Sequence, residues 1–130
     1  MKRNMQILGF CMLFVILLLS GCSLMPANTG VLIGTNLALS GKGMSYSTST
    51  ERGIELAKDM VNDRGGLLGK PVQLVSVDNH GKPEDAVAAI QQLTVRHVSA
   101  IIGPDLADCT RAVIPNVEAV KIPLISPACT

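Results

Sequence analysis

Side chains able to perform acid–base or metal chemistry are few in this sequence and stand far apart. His80 and His97 lack the i, i+4 spacing with which two histidines on one helix bind zinc. Asp78, Asp105 and Asp108 could form a phosphoryl-accepting cluster, but such acceptors are cytoplasmic and this chain carries an export signal, described below. The sequence contains no G-x-S-x-G motif and no recognisable pair of nucleophile and base. We therefore expect no enzyme activity: no catalytic residues, no metal site and no cofactor.

Two glycine-rich stretches fall short of the motifs that bind nucleotides. Residues 41–43 (GKG) begin like a dinucleotide-binding loop, but Tyr46 stands where the third glycine belongs. Residues 69–71 (GKP) have a proline in place of the hydroxyl residue of a P-loop. Nucleic acid is also excluded as a partner, because the formal net charge is only +1 and aromatic residues make up 2% of the chain.

The N-terminal segment has the composition of an export signal. Lys2 and Arg3 precede an apolar run over residues 5–19, which is too short to span a bilayer comfortably. The string LSGC at residues 19–22 resembles a bacterial lipobox, in which the cysteine thiol is alkylated by diacylglycerol and becomes the mature N-terminus. A single membrane helix ending near Ser20 is the alternative. The predicted divisions are a lipoprotein signal peptide at residues 1–21, a tether at residues 22–30 that starts with lipidated Cys22, and a folded segment at residues 31–130.

Beyond the leader, the apolar residues predict a core without aromatic rings. The chain has 130 residues, of which 48% are hydrophobic and 16% charged, so it is too apolar to be disordered. Its length suits one small domain at most. Both phenylalanines lie in the leader and tryptophan is absent, so Tyr46 is the one aromatic residue after Cys22. The core is expected to consist of Val, Ile, Leu and Ala.

The folded segment alternates short apolar runs with helical patterns. Such runs, bounded by turn residues, predict buried parallel strands. A capping box at residues 48–51 (TSTE) predicts the start of the first helix, Pro83 that of the second, and Asp108 is the expected N-cap of the third. Pro115 is expected to kink or shorten this third helix. The order β-α-β-α-β-α-β predicts an α/β fold with a doubly wound parallel sheet. The predicted strands occupy residues 31–38, 72–78, 98–103 and 122–126.

Ligands of parallel sheets bind beyond the carboxyl ends of the strands. The loops expected there are residues 39–46, 78–82, 103–110 and 126–130. The first three lead into helix N-termini, whose free backbone N–H groups can hold an anion such as a carboxylate. The sequence thus places the expected site at one edge of the sheet.

From the first strand onward, the chain resembles the branched-chain amino-acid binding proteins, the solute receptors of ABC importers, which have the type I periplasmic binding protein fold. No single stretch is diagnostic, but the order and spacing of the stretches are specific. The resemblance implies the N-terminal lobe of that fold. The matching stretches are IG at residues 33–34, LSG at 39–41, GIELA at 53–57, NDRGGLLGKPV at 62–72, DN at 78–79, PEDA at 83–86, IGP at 102–104 and IPLISP at 122–127.

The resemblance also implies four ligand contacts. In that family an aromatic residue after the Leu-Ser-Gly loop packs on the ligand, and Tyr46 holds this position. A serine after the Gly-Pro turn binds the ligand's α-carboxylate, but the matching residue here is Ala107, so a hydroxyl donor is lost and Asp108 adds a negative charge nearby. Ala128 and Thr130 match a family Ala/Ser-x-Thr, whose backbone and hydroxyl groups bind α-amino and carboxylate groups.

Two cysteines follow neighbouring predicted strands near the same edge. Cys109 and Cys129 could form a disulfide that closes a loop of about 20 residues, which the chain-entropy model values at roughly 3 kcal/mol. Two buried free thiols are the alternative, and the sequence leaves this choice open.

Transport without chemistry is the function that the resemblance implies. The chain would capture a branched-chain or related amino acid, or a similar small carboxylate or amide, at the extracytoplasmic face of a bacterial membrane and deliver it to the membrane subunits of an ABC permease. The ectodomain of a ligand-binding sensor with the same fold is the alternative. Type I binding proteins clamp the ligand between two lobes. Because this chain ends within the first, we expect an incomplete lobe from a partial sequence, with half a cleft and weak affinity.

Overall fold

The computed structural model describes residues 30–128, which form four parallel strands joined by three helices. The predicted leader at residues 1–21, with the Cys22 lipidation site and nearly all of the tether, lies outside the described residues. Within residues 30–128, none of the helices is both long enough and apolar enough to cross a bilayer. The elements are β1 (Val31–Leu37), α1 (Met44–Asp63), β2 (Val72–Asp78), α2 (Pro83–Val95), β3 (Ala100–Ile102), α3 (Ala107–Val120) and β4 (Leu124–Ile125).

The strands lie in the order β2-β1-β3-β4, and every neighbouring pair is parallel. Val31 pairs with Val72, so β1 and β2 start level with each other. The four strands end at one edge of the sheet, here called the carboxyl edge, and start at the other, called the amino edge. This arrangement confirms the predicted α/β fold with a parallel sheet.

One face of the sheet is covered by α2 and α3, which pack against each other and against the strands. The centre of this face is closed: Ile90, Leu93, Ile101 and Val113 are each at most 1% exposed. Gly34 of β1 allows the close approach of α2, because a Cβ atom at this position would lie 2.9 Å from a methyl group of Leu93. Towards the edge strand β4, the face opens into a groove of about 530 Å³ beside α3.

The other face carries α1 alone, and it is not closed. An apolar groove of about 350 Å³ separates α1 from the strands. We call it the α1 groove. The exposed Leu56, Met60 and Val61 show that α1 buries few of its large apolar side chains. The α1 groove is lined chiefly by Ile33, Gly53, Ile54, Ala57, Val61, Leu74 and Ile102.

The predicted start of α1 was wrong. The helix begins at Met44, after Gly43 in a left-handed conformation, and not at the capping box of residues 48–51. The reason is that the hydroxyl groups of this segment bond inside the helix. The Thr48 hydroxyl donates to the carbonyl of Met44 (2.7 Å), and the Ser47 hydroxyl donates to the carbonyl of Gly43 (3.2 Å). These hydroxyl groups therefore bond backwards along the helix and do not cap its N-terminus.

The predicted details of α3 also needed correction. Asp108 is not the N-cap; Leu106 holds that position and Asp108 lies in the first turn. The helix continues past Pro115 to Val120 and is not shortened. Pro115 and Arg111 are both exposed, so solvent can hydrogen-bond the Arg111 carbonyl, which has no N–H donor at position 115. Three of the four strands are shorter than predicted: β1 ends one residue early at Leu37, β3 covers three residues and β4 covers two.

Candidate binding site at the carboxyl edge

The first two loops of the carboxyl edge are joined by one carboxylate. Oδ1 of Asp78 accepts hydrogen bonds from the backbone N–H groups of Ser40 (3.2 Å) and His80 (2.8 Å). Partial burial, the largest single influence, raises the pKa of Asp78, but the hydrogen bonds from Ser40 and His80 together with the charge of His80 bring the pKa below its ordinary value. Gly41 lies against the same loop, because a Cβ atom there would stand 2.6 Å from the carbonyl oxygen of His80. The two loops therefore form one unit.

Beneath this unit lies a chain of buried amides. The side chain of Asn36 donates to the carbonyl of Ala86 (3.0 Å) and accepts from Nδ2 of Asn79 (2.8 Å). Oδ1 of Asn79 in turn accepts from the N–H of Gly81 (2.9 Å). Both asparagines are fully buried. The network ties the end of β1 to the β2–α2 loop and to the first turn of α2, so it sets the position of the α2 N-terminus.

The loop between β3 and α3 is held by three hydroxyl groups, which come from α3 itself, from the segment after β4 and from α1. Ser126 donates to the carbonyl of Pro104 (2.6 Å), and Thr110 donates to the same carbonyl (3.0 Å). The Ser47 hydroxyl of α1 also bonds to Oδ2 of Asp105, which is 3% exposed. The second carboxylate oxygen of Asp105 has no partner among the described residues. These contacts fix the direction in which α3 starts.

A depression of about 270 Å³ opens at the N-terminus of α3. Lys42 is among the residues that line it and brings a positive charge to this region. The first N–H groups of a helix have no partners within the helix and carry partial positive charge. The depression can therefore hold a small anion, although Asp108 adds a negative charge to its rim. Its lining consists of Lys42, Gly81, Pro83, Leu106, Ala107, Asp108 and Cys109.

Three of the four predicted ligand contacts lie within the described residues, and all three are at the carboxyl edge. Tyr46 is 54% exposed and stands in the first turn of α1, not in the preceding loop as predicted. Ala107 is the first residue of α3 and lines the depression. Ala128 is half-buried and follows β4. Thr130 lies beyond the described residues, so its role stays a prediction.

Cys109 is buried in the first turn of α3, in contact with the core. Burial raises the pKa of its thiol, and the charges of Asp105 and Asp108 add to this effect. The thiol is therefore protonated at neutral pH and unsuited to act as a nucleophile. Its proposed disulfide partner, Cys129, lies outside the described part of the chain. Within that part, no group of three or more His, Cys, Asp and Glu residues could hold a metal ion.

Comparison with known families identifies the chain. The model of the periplasmic binding protein family matches residues 30–130. The chain belongs to this family.

The relatives in this family are larger than the chain. It is 30% identical over 78 residues to the Leu/Ile/Val-binding protein BraC3 of Rhizobium johnstonii, an alignment covering 60% of the chain and 21% of that protein. Among solved structures, it is 35% identical, with a TM-score of 0.75, to the substrate-binding protein LivJ of Streptococcus pneumoniae in complex with isoleucine. That alignment covers 78% of the chain and 29% of LivJ. The chain thus spans less than a third of these relatives.

Other solved members extend the range of ligands. The chain is 26% identical, with a TM-score of 0.68, to a fatty acid ABC transporter substrate-binding protein of Thermomonospora curvata; this alignment covers 76% of the chain and 25% of that protein. The fold is that of the type I periplasmic binding proteins. The family consists of solute-binding proteins and not of enzymes.

Several residues that organise this family member's site were missed by the sequence reasoning. Asn36 is the penultimate residue of β1, and Asn79 directly follows β2. A polar residue at the carboxyl end of an otherwise apolar run is a usable signal for such positions. Asp105 and Ser47 carried no such signal, since they are far apart in the sequence and meet only in the fold.

Proposed function

We propose that this chain forms a lobe of an extracytoplasmic solute receptor that captures a branched-chain or related amino acid, or a similar small carboxylate or amide. The receptor delivers its ligand to the membrane subunits of an ABC permease. A lipid on Cys22 tethers it to the extracytoplasmic face of the membrane, behind the signal peptide at residues 1–21.

The depression at the N-terminus of α3 carries this proposal. It lies at the edge where parallel sheets bind ligands, in a chain whose family binds solutes. The ammonium group of Lys42 and the helix N-terminus favour the carboxylate of an amino acid. Tyr46 and Ala128 stand at the same edge, where they can contact the rest of the ligand, and Thr130 completes the proposed set.

Nuclear magnetic resonance of the ¹⁵N-labelled chain tests the site, because this method detects weak binding. L-isoleucine is expected to shift the amide resonances of Tyr46, Ala107 and Ala128. L-isoleucinol lacks the carboxylate and is expected to cause smaller shifts. Equal shifts with both compounds, or shifts confined to the amino edge, contradict the proposal.

The departure from the family pattern at α3 offers a gain-of-function test. Ala107→Ser supplies a hydroxyl donor at the helix N-terminus, and Asp108→Asn removes a negative charge from the same rim. Each change is expected to tighten isoleucine binding several-fold, measured by titration calorimetry or by the same amide shifts. Arg52→Gln on the exposed side of α1 is the matched control and is expected to leave affinity unchanged. Weaker isoleucine binding by the Ala107→Ser variant would show that the carboxylate of the ligand does not bind at the N-terminus of α3.

A further inference from the structure

The amino edge of the sheet gathers the ends of all three helices, because each helix leads back to the start of the next strand. The residues that follow the last turns are Arg64 for α1, Arg96 for α2 and Lys121 for α3. All three are exposed. The chain enters its first strand at the same edge, where the N–H of Val31 donates to the carbonyl of Pro71 (2.8 Å).

A tight turn projects an apolar tip from this edge. Leu67 and Lys70 close the turn with two backbone hydrogen bonds of 2.8 and 3.0 Å. Leu68, at the tip, is 95% exposed and has a left-handed backbone (φ 53°). Both features are unfavourable for leucine, because an exposed side chain leaves its apolar surface in water and the Cβ atom is crowded in the left-handed conformation. Leu67 beside it and Val95 at the end of α2 are 47% and 77% exposed.

Basic residues lie at the same edge of the sheet as the apolar tip. Arg64 precedes the turn and Lys70 closes it, while Arg96 and Lys121 lie at the ends of the neighbouring helices. The acidic residues in the last turns of the three helices are Asp63 and Glu118. Favourable interaction with helix C-termini accounts for basic residues at these positions. It does not account for the exposed leucines between them.

We propose that the amino edge rests on an anionic lipid bilayer, with Leu67 and Leu68 dipping into the interface and Arg64, Lys70, Arg96 and Lys121 facing the headgroups. This proposal rests on the lipid anchor of the proposed function. The tether joins the folded part at Gly30, beside Pro71 at the base of this turn. Apolar side chains flanked by cations are the combination with which proteins lie on anionic membranes. The amino edge is basic and partly apolar, and it lies beside the point where the tether attaches. It is therefore complementary to the anionic membrane surface at which the anchor holds the protein.

Because the chain contains no tryptophan, one introduced tryptophan can report how deeply its position enters the bilayer. Leu68→Trp introduces a single indole at the tip of the turn. The matched control is Met44→Trp, 52% exposed at the opposite edge of the sheet. The full lipidated chain is reconstituted in vesicles of phosphatidylglycerol and phosphatidylcholine brominated on their acyl chains, and quenching of indole fluorescence is measured. We expect at least several-fold stronger quenching at position 68 than at position 44.

Charge is tested in the same vesicles with variants of equal net charge. Arg64→Gln combined with Lys70→Gln, in the Leu68→Trp background, is expected to reduce quenching at position 68. Arg52→Gln combined with Lys82→Gln removes two exposed charges away from the amino edge and is expected to leave the quenching unchanged. Vesicles of phosphatidylcholine alone, or 0.5 M salt, are expected to reduce quenching because both weaken the attraction of cations to the surface.

Failure of the anchor and failure of the membrane-facing edge give different results. Equal quenching at positions 68 and 44, in a chain that sediments with the vesicles, overturns the membrane-facing edge and leaves the anchor standing. A chain that does not sediment with the vesicles overturns both the anchor and this inference. Amide shifts with isoleucine are measured separately, so neither result bears on ligand capture at the carboxyl edge.

Discussion

The two faces of the sheet carry similar apolar side chains but bury them very differently. The centre of the α2–α3 face has a closed core around Leu93, whereas the α1 face keeps an open groove of about 350 Å³. Hydropathy alone does not distinguish them, since both helical layers come from regularly spaced Val, Ile, Leu and Ala. We therefore expect most of the stability to come from the α2–α3 face, and three comparisons between matched residues and one pH dependence test this.

The largest difference is expected between two leucine truncations. Leu93 is fully buried on the α2–α3 face, while Leu74 lines the α1 groove. Leu93→Ala should lower the free energy of unfolding by about 3–4 kcal/mol, because it leaves a cavity in a closed core. Leu74→Ala should lower it by about 1 kcal/mol, since its side chain is already partly hydrated. Urea unfolding followed by circular dichroism measures both, and equal losses would contradict the comparison.

Two asparagines give the next largest contrast. Asn36 is buried between β1 and α2, and Asn36→Ala leaves the buried amide of Asn79 without its acceptor and removes the side-chain donor to the carbonyl of Ala86. We expect a loss of about 2–3 kcal/mol. Asn62 of α1 exchanges two hydrogen bonds with the backbone of Val72 at the edge strand (2.9 and 2.7 Å). Asn62→Ala should lose only about 1 kcal/mol, because water can replace the side chain there. Thermal unfolding in the same buffer ranks the two variants; the reverse order would show that α1 is the better anchored helix.

Two glycines should respond to the same substitution with opposite signs. Gly34→Ala pushes a methyl group against Leu93 and should destabilise the protein by about 1–3 kcal/mol. Gly53 lies within α1 with no atom near its missing side chain, so Gly53→Ala should stabilise by up to about 1 kcal/mol through helix propensity. Equilibrium denaturation gives both values. A destabilising Gly53→Ala would mean that the α1 groove is tighter than described.

The smallest expected effect is the loss of stability in acid that comes from Asp78, whose carboxylate holds the loop leading into α1. The folded state lowers the pKa of Asp78, so this carboxylate stabilises the protein above its ordinary pKa and the contribution is lost as the pH falls through the lower folded value, below about pH 4. The expected loss is less than about 1 kcal/mol because the carboxylate is partly exposed. Hydrogen exchange in this pH range should first increase in the loop around Ser40 and not in α2. Asp78→Asn should remove the pH dependence of that loop, and an unchanged profile would assign it to another group.

Much of this fold could be predicted from local sequence patterns. The bounds of β2 and the start of α2 at Pro83 agree with prediction, because a short apolar run and an N-terminal proline are local signals. The location of the candidate site at the carboxyl edge followed from the parallel order of strands alone. The buried contacts that shape the site, such as Asp105 with Ser47, had no local signal.

By itself, the sequence determined the alternation of strands and helices and a family resemblance that the family model confirmed, and it predicted the edge at which we expect a ligand to bind. Only the tertiary structure decided where α1 begins and which face of the sheet is closed. Ser47 lies inside α1 and bonds to Asp105, 58 residues away. This long-range contact favours a helix that begins before Ser47. Gly34 lets Leu93 approach β1, which closes the centre of the α2–α3 face. Such outcomes depend on the packing of distant segments, which hydrophobic periodicity does not specify.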